Sequence, residues 1–144
     1  MDVQRAVSMA HRHTKDWNIN RIGTVGFSVD FHERRYAQID DIDTVSCRPN
    51  FAIACYSGNL KKPDLDAIAD DLQIPDETPP VFLTHASDDT ESDVAHSVVM
   101  YQALQRKGVP VEMHIYGSGE HDYGVRQNAN LTSSWTQLCV NWLR

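Results

Sequence analysis

The sequence predicts an α/β fold with a mostly parallel sheet of about four strands flanked by helices. Three observations predict it. Four short runs rich in apolar and β-branched residues fall at 21–27, 51–56, 81–85 and 111–116. Helical spacing of apolar residues is found before the first run, between the third and fourth, and after the last. Strands that alternate with helices in this way bury both faces of a parallel sheet.

In chain order, residues 3–17 read as a helix with Val3, Ala6, Val7 and Ala10 on one face. Arg21–Phe27 reads as a short buried strand. Phe51–Tyr56 is the second strand and is ended by Ser57-Gly58. The segment Lys61–Thr78 reads as a loop with one short helix around Leu65–Leu72. Val81–His85 is the third strand, approached through Pro79-Pro80. Val94, Val98, Tyr101 and Leu104 share one face of an amphipathic helix that Gly108 and Pro110 stop. Val111–Tyr116 is the fourth strand. A last helix runs from about Leu131 to Leu143, with Trp135, Leu138, Cys139 and Trp142 inward.

The chain has 144 residues, enough for a single domain over 1–144 with a core of its own. A net charge of −7 opposes nucleic-acid binding, which needs a basic surface. The acidic runs Asp40–Asp43 and Asp64–Asp71 read as solvated loops and helix faces. No apolar run approaches membrane-spanning length. Met1–Arg5 lacks the basic-then-apolar layout of a signal peptide, so the expectation is a cytoplasmic protein or one whose true N-terminus is missing. Cys47, Cys55 and Cys139 match no zinc or redox spacing, and Cys55 reads as a small core residue.

Open parallel sheets carry their working residues just beyond the carboxyl ends of the strands. Ser28, Asp89 and His121 each follow a strand within one to five residues. A serine hydroxyl is a weak nucleophile, a histidine can take its proton, and a carboxylate can hold that histidine's tautomer. Either Asp88 or Asp89 suits the last role on residue type alone. His11 and His13 sit on different faces of the first helix. His85 reads as packing at a strand end, His96 as covering a helix, and His114 as facing outward. No histidine pair has a metal-ligand context, and neither a metal nor a cofactor is expected.

With these residues in place, the chain resembles the α/β-hydrolase superfamily. Within it the chain is similar to bacterial acetyl-esterases, carboxylesterases and acetylxylan-esterases, and also to the catalytic domains of prolyl-oligopeptidase-like enzymes. The strings that carry the resemblance are Trp17–Gly23 running into Gly26-Phe27-Ser28, then Val45–Phe51, Thr78–Ala86 with Asp88-Asp89, and Ser97 through Gly108–Glu112 to Gly119-Glu120-His121. The order serine, carboxylate, histidine is that of the α/β-hydrolases. The resemblance implies a partial, N-terminally truncated α/β-hydrolase fold corresponding to the C-terminal half. It also implies ester hydrolysis through an acyl-enzyme. Ser28 attacks, His121 serves as base and then acid, Asp89 orients His121, and the Val29 N–H is an oxyanion donor. Spacing from His85 favours Asp89 over Asp88.

The chain departs from the family pattern at three places. In Gly26-Phe27-Ser28-Val29-Asp30 the last glycine of the elbow is replaced by an acid that opposes developing negative charge. About twenty residues stand where the family has a long helix after the serine. The glycine-rich loop that supplies the second oxyanion donor is missing, and losing one such donor costs about 100- to 1,000-fold in rate. The expectation is therefore a serine hydrolase for small carboxylic esters, acetylated carbohydrates among them, with impaired activity. One alternative is a non-catalytic hydrolase remnant or binding module. Another is a prolyl-oligopeptidase-like serine peptidase. The expected partner is a small ester, with neither nucleic acid nor membrane. The strand Arg21–Phe27 is expected to be an exposed edge through which the chain self-associates.

Overall fold

The computed structural model describes residues 3–26, 36–63 and 66–144. Its elements, in order, are helix α1 (Val3–Arg12), strand β1 (Gly23–Val25), a 3₁₀ turn (Asp41–Thr44), β2 (Phe51–Cys55), β3 (Val81–Ala86), helix α2 (Ala95–Arg106), β4 (Val111–Tyr116), a second 3₁₀ turn (Leu131–Ser134) and helix α3 (Trp135–Trp142). The four strands are parallel and adjacent in chain order, β1-β2-β3-β4. All six residues of β3 are buried, because β3 lies between two strands and both its faces are covered.

Side chains alternate across a strand, and β3 divides the core accordingly. Val81 and Leu83 pack with Ala52, Ala54, Met100 and Leu104 on the α2 side. Phe82 and Ala86 pack with Ile53, Trp135 and Cys139 on the α3 side. The same alternation sends His85 toward α2 and Thr84 toward Tyr123. Helix α2 ends where the sequence stops it. Gly108 adopts φ 72°, the Gly108 N–H donates to the Gln105 carbonyl, and the Val109 N–H donates to that of Leu104. Leu104 and Val109 also meet in one apolar cluster, which completes a Schellman cap.

The structure corrects several expectations. Helix α1 ends at Arg12 rather than at residue 17. Thr14 Oγ1 donates to the His11 carbonyl, and Asn18 turns left-handed at φ 52°. Its buried face is Gln4, Val7 and Ser8, whereas Val3 is 56% exposed. Ser8 explains the rotation, since its hydroxyl donates to the Val45 carbonyl at 3.0 Å. Second, Asp40 and Asp43 are not simply solvated: Arg5 bridges them at 2.6 and 2.8 Å. Third, no helix forms among the described residues of 61–78. Lys61 and Ile68 make an antiparallel bridge instead, and Leu72 and Ile74 cap the α2-side core. Fourth, His114 does not face outward; its ring lies 5.2 Å from that of Phe82, and its Nε2 meets Glu112 at 2.7 Å.

β1 is shorter than expected, and it stands at one edge of the sheet. No described helix is long and apolar enough to cross a membrane.

Candidate active site

Parallel strands deliver their carboxyl ends to one edge, and the exits of β3 and β4 are tied together there. The Ser87 N–H donates to the Tyr116 carbonyl at 2.7 Å. The chain then turns through Asp88 and Asp89. Asp89 Oδ1 accepts the Glu91 and Ser92 N–H groups at 2.9 and 2.8 Å, a local turn that an aspartate closes with its own side chain. Its Oδ2 lies 2.7 Å from His121 Nδ1, and the Asp89 side chain is 0% exposed. Burial alone would raise the pKa of Asp89. The Ser92 N–H, His121 and the Glu91 N–H outweigh burial and hold the group below the usual carboxylate value.

His121 is brought to this carboxylate by an unusual loop. Its neighbours Glu120 and Asp122 are both left-handed, at φ 57° and 58°. Asp88 pins the loop by accepting the Gly119 N–H at 3.2 Å and the Glu120 N–H at 2.8 Å. Gly119 is required for close approach, since a Cβ there would stand 2.2 Å from Thr132 Cγ2. The two aspartates thus divide the work. Asp89 holds the imidazole and Asp88 holds the backbone that carries it.

The His121 side chain is 26% exposed. Its ring meets the edge of Tyr56 at 4.9 Å, and Tyr56 in turn meets Tyr123 at 4.8 Å. The Tyr56 hydroxyl donates to Asp122 at 3.1 Å. Burial, with Asp122 adding to it, pushes the Tyr56 phenol up to about 12, so it remains a donor near neutral pH. Nδ1 of His121 faces a carboxylate and therefore carries its proton. Nε2 then holds a lone pair, and it has no hydrogen-bond partner among the described residues. That is the arrangement of a general base waiting for a proton.

His85 is not merely a packing residue. It is 0% exposed, with Nδ1 at 2.7 Å from Ser97 Oγ and Nε2 at 2.9 Å from the Ser92 carbonyl and 3.3 Å from Asp89 Oδ2. His96 covers the start of α2, and its Nδ1 accepts the N–H groups of Leu60 and Lys61. The sequence reading missed Tyr56, Ser92 and Ser97. Only the four-residue spacing of His85 and Asp89 hinted at their contact. Among the described residues no cluster of three or more His, Cys, Asp or Glu could hold a metal ion. Ser28, Val29 and Asp30 lie outside the described residues. The last described residue before them, Gly26, donates its N–H to the Ile53 carbonyl at 3.1 Å.

A profile of the prolyl oligopeptidase family matches residues 60–144, more than half of the chain. The chain belongs to the prolyl oligopeptidase family. Solved structures agree with the fold of this family member. An acetyl ester-xyloside bifunctional hydrolase from Caldicellulosiruptor lactoaceticus is 28% identical, with a TM-score of 0.77, over 98% of this chain and 63% of that one. A sugar hydrolase from Lactococcus lactis is 25% identical, with a TM-score of 0.68, over 98% of this chain and 65% of the other. Thermogutta terrifontis esterase 2 matches in fold, with a TM-score of 0.73 at 17% identity, over 99% of this chain and 61% of the other. No curated protein sequence matches the chain. The family member described here therefore has the α/β-hydrolase fold and spans about two thirds of the length of these structures.

Proposed function

We propose that the chain is a serine hydrolase of small carboxylic esters. Ser28 is the nucleophile, His121 the base and then the acid, Asp89 the residue that orients His121, and Val29 an oxyanion donor. The observation that carries this reading is the 2.7 Å contact between His121 and an Asp89 side chain with no exposure, the far nitrogen of the ring having no hydrogen-bond partner among the described residues. A histidine so held can take a hydroxyl proton, and the carboxylate then stabilises the imidazolium. Acetylated carbohydrates are the favoured substrates, because the bifunctional acetyl ester-xyloside hydrolase is similar to this chain over nearly all its length. Asp30, two residues after Ser28 in the sequence, opposes developing negative charge and keeps the turnover low.

The test is labelling of the purified chain with a fluorophosphonate probe, beside Ser28→Ala. Labelling lost in the variant supports an activated serine. No labelling of a folded wild-type chain overturns the reading and leaves a non-catalytic remnant. A second reading, serine peptidase activity, is favoured by the family match over 60–144. Parallel assays with p-nitrophenyl acetate and a prolyl p-nitroanilide separate the two.

A further inference from the structure

Two histidines lie beside the Asp89 carboxylate. His121 is hydrogen-bonded to Oδ2 from the open side. His85 Nε2 stands 3.3 Å from the same oxygen within the core, where both side chains are 0% exposed, and its own hydrogen bond goes to the Ser92 carbonyl at 2.9 Å.

The protonation of His85 follows from its neighbours. Nε2 faces only acceptors, the Ser92 carbonyl at 2.9 Å and Asp89 Oδ2 at 3.3 Å, so Nε2 bears a hydrogen. Nδ1 faces the Ser97 hydroxyl at 2.7 Å, and in the neutral ring this nitrogen accepts the hydroxyl proton. Ser97 sits on α2, His85 on β3, and Ser92 on the loop between them. The ring therefore ties a rigid helix to the turn whose N–H groups hold Asp89 Oδ1. The other titratable group near it is His96, at the start of α2.

We propose that His85 is a positioning residue for His121: the His85 Nε2–H holds the Ser92 carbonyl and so fixes the turn whose N–H holds the Asp89 carboxylate against His121. The inference deepens the hydrolase reading and rests on it only for its effect on turnover. Removing the ring frees the Ser92 turn, and the carboxylate is then held less firmly on His121 Nδ1.

The amide side chains separate the two ends of the ring. Glutamine can put its amide N–H near the position of Nε2, whereas asparagine reaches only the position of Nδ1. Imidazole ¹⁵N NMR is the measurement. In the wild-type chain His85 is expected as the Nε2–H tautomer, and the His121 Nδ1–H proton as a slowly exchanging downfield resonance. In His85→Asn that resonance is expected to be lost and kcat/KM to fall, and in His85→Gln both are expected to stay at the wild-type level. Should His85→Asn not fold, Ser97→Ala loosens the same ring from α2, and a weakened resonance is expected. A wild-type His85 found as the Nδ1–H tautomer overturns the proposal. So does an unchanged His121 resonance in a folded His85→Asn, or in Ser97→Ala where the former does not fold. The NMR arm needs no working serine, so loss of the His121 resonance in a variant of a chain without esterase activity upholds the role of His85 and removes only the hydrolase reading.

Discussion

Asp89→Asn is the substitution that most directly examines the acid–base pair. In the amide, Oδ1 still accepts the Glu91 and Ser92 N–H groups, which now stand at 2.9 and 2.8 Å from the carboxylate. That leaves the amide nitrogen, a donor, at the position of Oδ2, 2.7 Å from His121 Nδ1. Two donors cannot face each other at that distance. The imidazole responds by moving its proton to Nε2, and Nδ1 becomes the acceptor. The nitrogen that should receive the Ser28 proton is then already protonated. A tautomer inversion of this kind costs about 10⁴-fold in kcat, or roughly 5 kcal/mol of barrier. The fold should survive, since the variant loses a charge-assisted hydrogen bond worth about 1.5–3 kcal/mol but strands no backbone donor. Asp89→Ala is the contrast, because it orphans the buried Ser92 N–H and should lower the melting temperature further. Initial rates with p-nitrophenyl acetate, read beside thermal melts, separate the two effects. A folded Asp89→Asn chain that retains more than a tenth of the wild-type rate would refute the reasoning, because His121 would then not depend on this carboxylate.

Four other outcomes are expected. Gly119→Ala places a methyl group 2.2 Å from Thr132 Cγ2 and should destabilise the chain by about 1–3 kcal/mol, with Thr132→Ser restoring part of the loss in thermal melts. Acid should weaken the fold through Asp40, Asp43 and Asp89, all held below the ordinary 3.8. For Asp43 the Ile39 N–H, Tyr36 and Arg5 overcome burial and bring it to about 2. Their contribution is complete above the unfolded value and is lost as pH falls from about 4 through the folded values, so urea midpoints should drop there and Arg5→Met should flatten the drop. His96 is held below 6.5 by burial, with Lys61 adding to it, so its contribution is complete above 6.5 and is lost as pH falls through its folded value. His96→Asn keeps an acceptor for the Leu60 and Lys61 N–H groups and should remove that pH dependence from urea melts. Finally, Ile22 and Gly26 bond to β2, so the intervening Gly23 and Val25 direct their backbone groups to the free edge, and sedimentation should show self-association that Val25→Pro abolishes. A monomer at high concentration would count against that edge.

What could be read from the sequence was what local chemistry decides. β4 matches its expected bounds, and β3 runs one residue further, because a run of buried strand residues ends where Gly117 or Ser87-Asp88 turns the chain. Helix α2 ends at Arg106, with Lys107 as its C-cap, because Gly108 adopts the left-handed turn that follows. The order of Asp89 and His121 beyond their strands was equally legible, and the structure brings the two together. The misreadings were decided by partners far away in sequence. Whether Gln4 and Ser8 or Val3 and Ala6 face inward depends on Val45 and on the Arg5 contacts 35 and 38 residues away. Leu65 and Leu72 suggest a helix, yet Leu72, with Ile74, serves to pack against the core of Met100 and Leu104. His85 resembles any apolar-strand histidine until Ser97 and Ser92 are seen on either side of it.

The contacts that hold Asp89 and His121 share one property. They come from Tyr56, His85, Asp88, Glu91, Ser92, Ser97 and the 119–123 loop, and among the described residues none precedes β2. The acid–base half of the site is thus built by β3, β4, the end of β2 and one helix, the most densely paired part of the sheet. β1, the strand that precedes Ser28 in the chain, has three residues and stands at the edge. Among the described residues, the Asp89–His121 contact takes no support from β1. Activity and the geometry of that pair should therefore vary independently: variants near Ser28 should change labelling and rate while the His121 Nδ1–H hydrogen bond to Asp89 persists in NMR spectra.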